Sequence, residues 1–289
     1  MKAQVGRVFD PPLKISWMPR AGQRPALLQA IVAVAFVVVA MALPSLASTP
    51  PELMEKHAFV GAPGQALPYR LARPVEAAAK PGARFPLVIV LHGAGERGTD
   101  NEKHLRSIVP TYLSAENRAR FPCFLLAPQC PLDAKWTGVL WQEDPHAPQT
   151  PAPTYPTRLL IALIEKLAGE LPVDRNRIYV TGISMGGSGA WDLVTRRPGL
   201  FGGAVILCGG ADEAVGHRAA AVPIWCFQGA KDDIVRPSLS RNMIAAIARA
   251  GGTPRYTELP EAGHTIADEV YRDPAVVAWM FAQRRSPRP

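Results

Sequence analysis

The 289-residue chain has only four cysteines, Cys123, Cys130, Cys208 and Cys226, and their spacings match no zinc motif. A zinc-built fold is therefore excluded. Cys123, Cys208 and Cys226 sit in apolar, strand-like runs, where cysteine behaves as a small hydrophobe. Buried free thiols are expected, with a disulfide as the alternative that an oxidising compartment would permit. The sequence also lacks an internal repeat, which removes solenoids and arrays. Its composition is neither collagen-like nor that of a disordered chain. There is no basic stripe with interleaved aromatics, so no nucleic-acid partner is expected. The formal charge of +8 does not contradict this, because it is uneven. Residues 1–47 hold five basic residues and one acidic one, leaving 27 basic and 23 acidic residues over the other 242.

Proline, in contrast, is abundant, with thirty in the chain. Many fall in connections such as PHAPQTPAPTYP (145–156), which predicts long, stiffened loops. The N-terminus carries ALLQAIVAVAFVVVAMAL (26–43), almost wholly apolar, preceded by basic residues and followed by LPSLAS. That is the layout of a secretory signal with cleavage after Ala47. A start at Met18 would leave the ordinary lead-in MPRAGQR. A membrane anchor is the alternative, since a run of this length just spans a bilayer. Both readings put the main domain outside the cytoplasm, periplasmic or secreted in the first case and tethered in the second. Membrane contact is expected only if residues 26–43 stay uncleaved. The economical division is then 1–47 signal or anchor, 48–57 linker, 58–285 a single domain and 286–289 a tail.

Within that domain, short apolar runs recur: FPLVIVLHG (85–93), CFLLAPQ (123–129), RIYVTG (177–182), GGAVILCGG (202–210), PIWCFQG (223–229) and RYTELP (255–260). Most are apolar throughout, as expected of strands covered on both faces in a parallel sheet. Helical patterns lie between them at 157–171, 185–198, 238–252 and 267–285, the last broken around Pro274. LPYRLARP (67–74) alternates and reads as an antiparallel edge strand. The fold class is therefore α/β, a mostly parallel central sheet with helices on both faces and no separate second domain.

One stretch raises a chemical question. RIYVTGISMGGSGAWDL (177–193) follows a strand with small residues and then resumes a helical pattern. Ligands bind beyond the C-terminal ends of parallel strands. Gly182-Ile183-Ser184-Met185-Gly186 lies at such an end, and GxSxG between strand and helix is the pattern of a nucleophile elbow. Glycines two places either side of the serine avoid collision with the neighbouring strand and helix. A serine needs a base, and the base needs an orienting acid, in the chain order Ser, Asp/Glu, His. FQGAKDDIVRP (227–237) offers Asp232 and Asp233 at a strand end, Asp232 being the closer. PEAGHTIAD (260–268) offers His264 after the last strand. Of the other histidines, His57, His104, His146 and His217 follow no late strand, and His92 belongs to LHGAGERGTDN (91–101). That loop is suited to supply a backbone N–H to a developing oxyanion, from Ala94 or alternatively Gly95, beside the N–H of Met185. His92 is expected to pack beneath it, with Glu96 and Arg97 bracing it.

LHGAGERGTDN, APQCP, RIYVTGISMGGSGAWDL, FQGAKDDIV and YTELPEAGH, in this order, resemble the α/β-hydrolase superfamily. More narrowly, they resemble its bacterial secreted esterase and predicted-peptidase group, related to phospholipase/carboxylesterases and dienelactone hydrolase-like enzymes. The likeness covers about residues 66–283. It implies an α/β-hydrolase fold and a serine hydrolase of small-molecule carboxylic esters, with Ser184 as nucleophile, His264 as base, Asp232 as acid, and Ala94 and Met185 at the oxyanion hole. No metal or organic cofactor is implied. A serine peptidase and a non-catalytic, membrane-tethered binding protein on the same scaffold are the alternatives. The chain departs from the group at Ser188, where an aromatic is usual, and at Thr265-Ile266 after the histidine. Both positions bear on the substrate. Trp136 and Trp141, in the long loop 132–156, are expected either to line the pocket with Ser188 or to staple the loop to the body. Trp191, in the helix behind Ser184, is expected in the core.

Overall fold

The computed structural model describes residues 51–75, 81–139 and 147–285, all within the compact unit Ala47–Pro289. The apolar runs form eight strands: β1 (Glu55–Val60), β2 (Ala66–Ala72), β3 (Phe85–Leu91), β4 (Phe124–Pro128), β5 (Val173–Ile183), β6 (Gly203–Leu207), β7 (Ile224–Gly229) and β8 (Arg255–Leu259). They build one sheet in the order β1-β2-β4-β3-β5-β6-β7-β8. Strands β4, β3 and β5 to β8 are mutually parallel, whereas β2 runs antiparallel to both β1 and β4. After β3 the chain goes to one side to form β4 and then returns to form β5 on the other side. The strand order therefore reverses around β3, and a crevice opens beyond the C-terminal ends of β3 and β5.

Seven α-helices pack on this sheet among the described residues: α1 (Val109–Leu113), α2 (Ala115–Arg120), α3 (Tyr155–Glu170), α4 (Met185–Arg196), α5 (Pro237–Arg249), α6 (Ala267–Arg272) and α7 (Pro274–Ala282). Strand β3 shows why its sequence has no polar alternation. Leu87, Ile89 and Leu91 join one core with side chains of α3, α4 and α5, while Val88 and Val90 join the other with α1, α6 and α7. Both faces are covered, so both sets must be apolar. The break at Pro274 is where the pattern placed it. Asp273 accepts the N–H of Ala275 as cap of α7, and proline opens that helix without sacrificing a hydrogen bond. All four cysteines are free thiols, three fully buried and Cys123 partly so, and burial pushes Cys123, Cys130 and Cys226 up to about 12.

Two expectations need correction. Residues 55–57, read as linker, belong to β1. Its residues EKHAFV are exposed or half-exposed throughout, so no apolar pattern marked them. In consequence β2 is not the sheet edge. Its outer side pairs with β1 from Leu67 opposite Phe59 to Leu71 opposite Glu55. The N-terminal run 26–43, the Met18 start, the remainder of the signal or anchor and the tail 286–289 lie outside the described residues. Among those described, no helix is long and apolar enough to cross a membrane.

Asn101 ties this hairpin to the rest. It sits at φ 60, a left-handed value that asparagine tolerates better than most residues. Its Nδ2 donates to His57 O and Tyr69 O, both at 3.0 Å, and its own N–H donates to Gln129 Oε1 at 2.6 Å. Asn101→Ala leaves both carbonyls without that donor and gives up asparagine's tolerance of the left-handed backbone. A loss of about 2–4 kcal/mol is expected in urea unfolding. An unchanged midpoint would show that the β1–β2 hairpin does not depend on this residue.

Candidate active site

Strand β5 delivers Ser184 into the crevice. The residue stands at φ 58 and ψ −122, a conformation that side chains rarely adopt, and it caps the N-terminus of α4. Backbone packing enforces the turn. A β-carbon on Gly182 would overlap the backbone of Gly186, and one on Gly186 would overlap Leu91 O in β3. Gly187 likewise lies against Leu207 O in β6. Ser184 N–H donates to Leu207 O at 3.0 Å. The serine is thus pinned between two strands, with its side chain at the positive end of the helix.

The loops after β7 and β8 bring in the partners. They are stitched together by Ala230 N–H to Leu259 O and Lys231 N–H to Ala262 O, both 2.9 Å. His264 Nε2 lies 2.8 Å from Ser184 Oγ, and His264 Nδ1 lies 2.9 Å from Asp232 Oδ2. The Asp232 side chain is fully buried, while that of His264 keeps 20% exposure. Asp232 Oδ1 accepts the N–H groups of Ile234 at 2.9 Å and Val235 at 2.8 Å, and Gln228 Nε2 donates to Oδ2 at 2.8 Å. Burial alone would raise this carboxyl. The hydrogen bonds from His264 and the two backbone N–H groups outweigh it and hold the acid below its ordinary value. Asp232 is therefore ionised at neutral pH, with its charge directed at the imidazole. Asp233 is exposed and takes no part. Cys208 Sγ lies within 4.8 Å of both the Asp232 and His264 ligand atoms. Burial holds that thiol well above the ordinary range, so it stays protonated.

The β3 loop closes the crevice from the other side. Gly93 is close enough to the serine that a β-carbon there would lie 3.8 Å from Ser184 Cβ. Ala94 and Met185 each open a helical turn, so their N–H groups precede the intrahelical ladder and remain available. Glu96 Oε2 accepts Gly93 N–H at 3.0 Å, and Arg97 Nε donates to Ala94 O at 3.0 Å, so both brace the loop as expected. Burial raises the Glu96 carboxyl. His92 packs below, its Nδ1 2.7 Å from Gly93 O and its Nε2 accepting Cys130 N–H at 2.9 Å.

The structure separates the residues expected at a pocket. Trp136 lines none: it is wholly buried, packs against Gly189 of α4, donates to His92 O at 3.2 Å and accepts from Thr157 at 2.5 Å. It staples the loop to the body. Ser188 is also buried, its Oγ accepting Gly210 N–H at 3.0 Å, so it locks α4 to the segment after β6. Ile266 is buried in the second core cluster and only Thr265 is exposed beside His264. Trp141 lies outside the described residues. Trp191 is in the core as expected. Sequence reasoning missed Gln228 and Ser240. Both are buried polar residues inside apolar or helical patterns, and no motif marks them.

A doubly wound sheet with a serine, a histidine and an aspartate meeting at its switch point defines the α/β-hydrolase superfamily. Residues 64–280 match the Esterase family, and the chain belongs to it, a family of carboxylic ester hydrolases. A relative in Oryza sativa subsp. japonica named "Probable carboxylesterase" is 27% identical over 198 residues, 63% of this chain and 82% of that protein. A thermostable esterase of known structure is 34% identical with a TM-score of 0.71, the match covering 81% of this chain. The match spans 64% of that esterase's length. An acylaminoacyl peptidase from Pyrococcus horikoshii shares the fold at 13% identity and a TM-score of 0.59, over 82% of this chain and 42% of its own.

The buried histidines make stability acid-sensitive. Burial lowers His92 to about 4, and burial with the neighbouring His92 lowers His104 to about 3. Unfolded histidine titrates near 6.5. As pH falls below that value, the unfolded chain binds protons that the folded protein refuses. Stability is lost progressively until the folded values are reached, on the order of 3 kcal/mol for His92 by pH 4. The urea midpoint should fall between pH 7 and pH 4, and His104→Gln should flatten the fall. An identical slope in that variant would remove His104 from the account.

Proposed function

We propose that the chain is an exported serine esterase that hydrolyses small-molecule carboxylic esters by two-step acyl transfer. The observation that carries this reading is the unbroken hydrogen-bonded series Ser184–His264–Asp232. Ser184 Oγ attacks the ester carbonyl while His264 Nε2 takes its proton. Asp232 fixes the imidazole tautomer and stabilises the imidazolium. The tetrahedral oxyanion is held by the N–H groups of Met185 and Ala94, with Gly95 as the alternative to Ala94. His264 then protonates the leaving alcohol, and a water deprotonated by the same base releases the acid. The protein groups suffice for every step.

Family membership favours esters over peptides, because the likeness to an acylaminoacyl peptidase is one of fold alone. Export rests on the sequence: the apolar run 26–43, its basic lead-in and the small residues of LPSLAS (43–48) around Ala47. N-terminal sequencing of the mature protein tests it. A new terminus near residue 48 is expected, and an intact, membrane-retained chain would replace the signal by an anchor.

Turnover of a p-nitrophenyl ester chain-length series tests the chemistry. Ser184→Ala should lose several orders of magnitude in kcat, and Asp232→Asn about 10⁴-fold with the fold intact. Equal turnover in Ser184→Ala and the unaltered protein would sink the esterase mechanism.

A further inference from the structure

The hydrogen-bonded series does not end at Asp232. Gln228, the penultimate residue of β7, is fully buried beneath the acid loop. Its Nε2 donates to Asp232 Oδ2 at 2.8 Å and to Val235 O at 3.1 Å. Its Oε1 accepts from Ser240 Oγ, in α5, at 2.8 Å, and Ser240 is fully buried too. The orientation of the amide follows from its partners. A carboxylate and a carbonyl only accept, so the NH₂ must face Asp232 and Val235, and the oxygen must face the hydroxyl. Ser240 Oγ also lies 3.5 Å from Gly209 O, in the segment packed on Gly187 of α4.

We propose that Gln228 is a positioning residue for the reaction, oriented by Ser240, and that it directs Asp232 Oδ2 at His264. The inference rests on the Ser184–His264–Asp232 reading. Asp232 Oδ1 is anchored by two backbone N–H groups, whereas Oδ2, the atom that faces the imidazole, accepts from Gln228; the protonated Cys208 thiol also lies against this carboxyl. Two oxygens held in this way leave the carboxylate little freedom to rotate, and the His264 tautomer depends on it. Among the described residues, this amide bonds to Gly229 O, Asp232 Oδ2, Val235 O and Ser240 Oγ, and of these only Asp232 is ionisable. A buried amide here supplies a donor without adding charge beside the acid at any pH, whereas a lysine would be charged and a carboxyl would be neutral only while it keeps its proton.

Gln228→Met keeps the volume and removes the donors. Gln228→Glu keeps the shape and sets a second carboxyl against Asp232, so its proton is retained well above the usual carboxylate range and is lost only as pH rises. Ser240→Ala leaves Gln228 intact but frees its oxygen, and it serves if either Gln228 variant fails to fold. All are compared with Ser184→Ala on one p-nitrophenyl ester from pH 5 to 9, with circular dichroism confirming the fold. Gln228→Met should lower kcat about tenfold with KM within twofold, and Ser240→Ala should lower it about threefold. Gln228→Glu should gain a descending alkaline limb that the unaltered protein lacks. If Ser184→Ala is inactive but the folded variants keep the unaltered kcat and pH profile, Gln228 is merely structural and the proposal fails while the nucleophile stands. If Ser184→Ala remains active, the Ser184 reading fails and the proposal falls with it.

Discussion

The contact on which the site depends is backbone against backbone at Ser184. Glycines at 182, 186 and 187 let β5 and α4 approach Leu91 O on one side and Leu207 O on the other, closer than any β-carbon allows. Only that approach fits the serine's φ of 58 into the sheet. Such a conformation costs about 1–3 kcal/mol and persists only where the surroundings over-determine it. Here β3 and β6 flank the turn as parallel neighbours of β5. Ser184 N–H is itself consumed by Leu207 O, which locks the direction of its side chain. The strain is thus balanced by the sheet as a whole. The half-buried hydroxyl is thereby held toward His264.

Around this point the structure sets up a gradient of burial. Asp232 is sealed from water and surrounded by donors, whereas His264 and Ser184 are both half-buried. Each step follows from what the group must do. A carboxylate that stays charged needs its donors fixed in a dry place, whereas an imidazole that exchanges protons with solvent-borne species needs an open edge. Gly229 permits the gradient, since a β-carbon there would overlap Gly263 O and force the acid and histidine loops apart. His92, in the β3 loop, and His104, just beyond it, show the contrary case. Both are buried, His92 against Gly93 O and Cys130 N–H and His104 against Ala127 O, and burial lowers both, so neither is charged at neutral pH.

Much of this was legible in the sequence because it is written in backbone requirements. Strands covered on both faces must be apolar, so β3 to β7 announced themselves, and a proline fixes the break between α6 and α7 wherever it falls. The order Ser, Asp, His was readable because parallel strands deliver their loops to one edge. The failures have the same logic. Strand β1 buries no face and so has no pattern. Helices α1 and α2 are only five and six residues long, too short for a helical period to emerge. Trp136 stays open in sequence between pocket and staple, and Ser188 falls near the pocket only by proximity along the chain, because a side chain's direction depends on packing. Gln228 was invisible because a buried amide in an apolar strand looks, in sequence, like an interruption, and Ser240 because a serine in a helical pattern carries no sign of which face it takes.

The charged and amide side chains of LHGAGERGTDN serve as scaffolding. Glu96, Arg97, Asp100 and Asn101 bond to backbone groups: Glu96 to Gly93 N–H, Arg97 to Ala94 O, Asp100 to the N–H groups of Glu102 and Lys103, and Asn101 to the β1–β2 hairpin. Gln129, from the end of β4, joins them by donating to Glu96 O and Asp100 Oδ1 and accepting from Asn101 N–H. Their joint effect is to hold one turn of backbone, Gly93 to Gly95, at a fixed distance from Ser184. The same network leaves the opposite wall of the crevice free of such ties: Thr265, beside the histidine, is exposed, where the neighbouring Ile266 is sealed in the core.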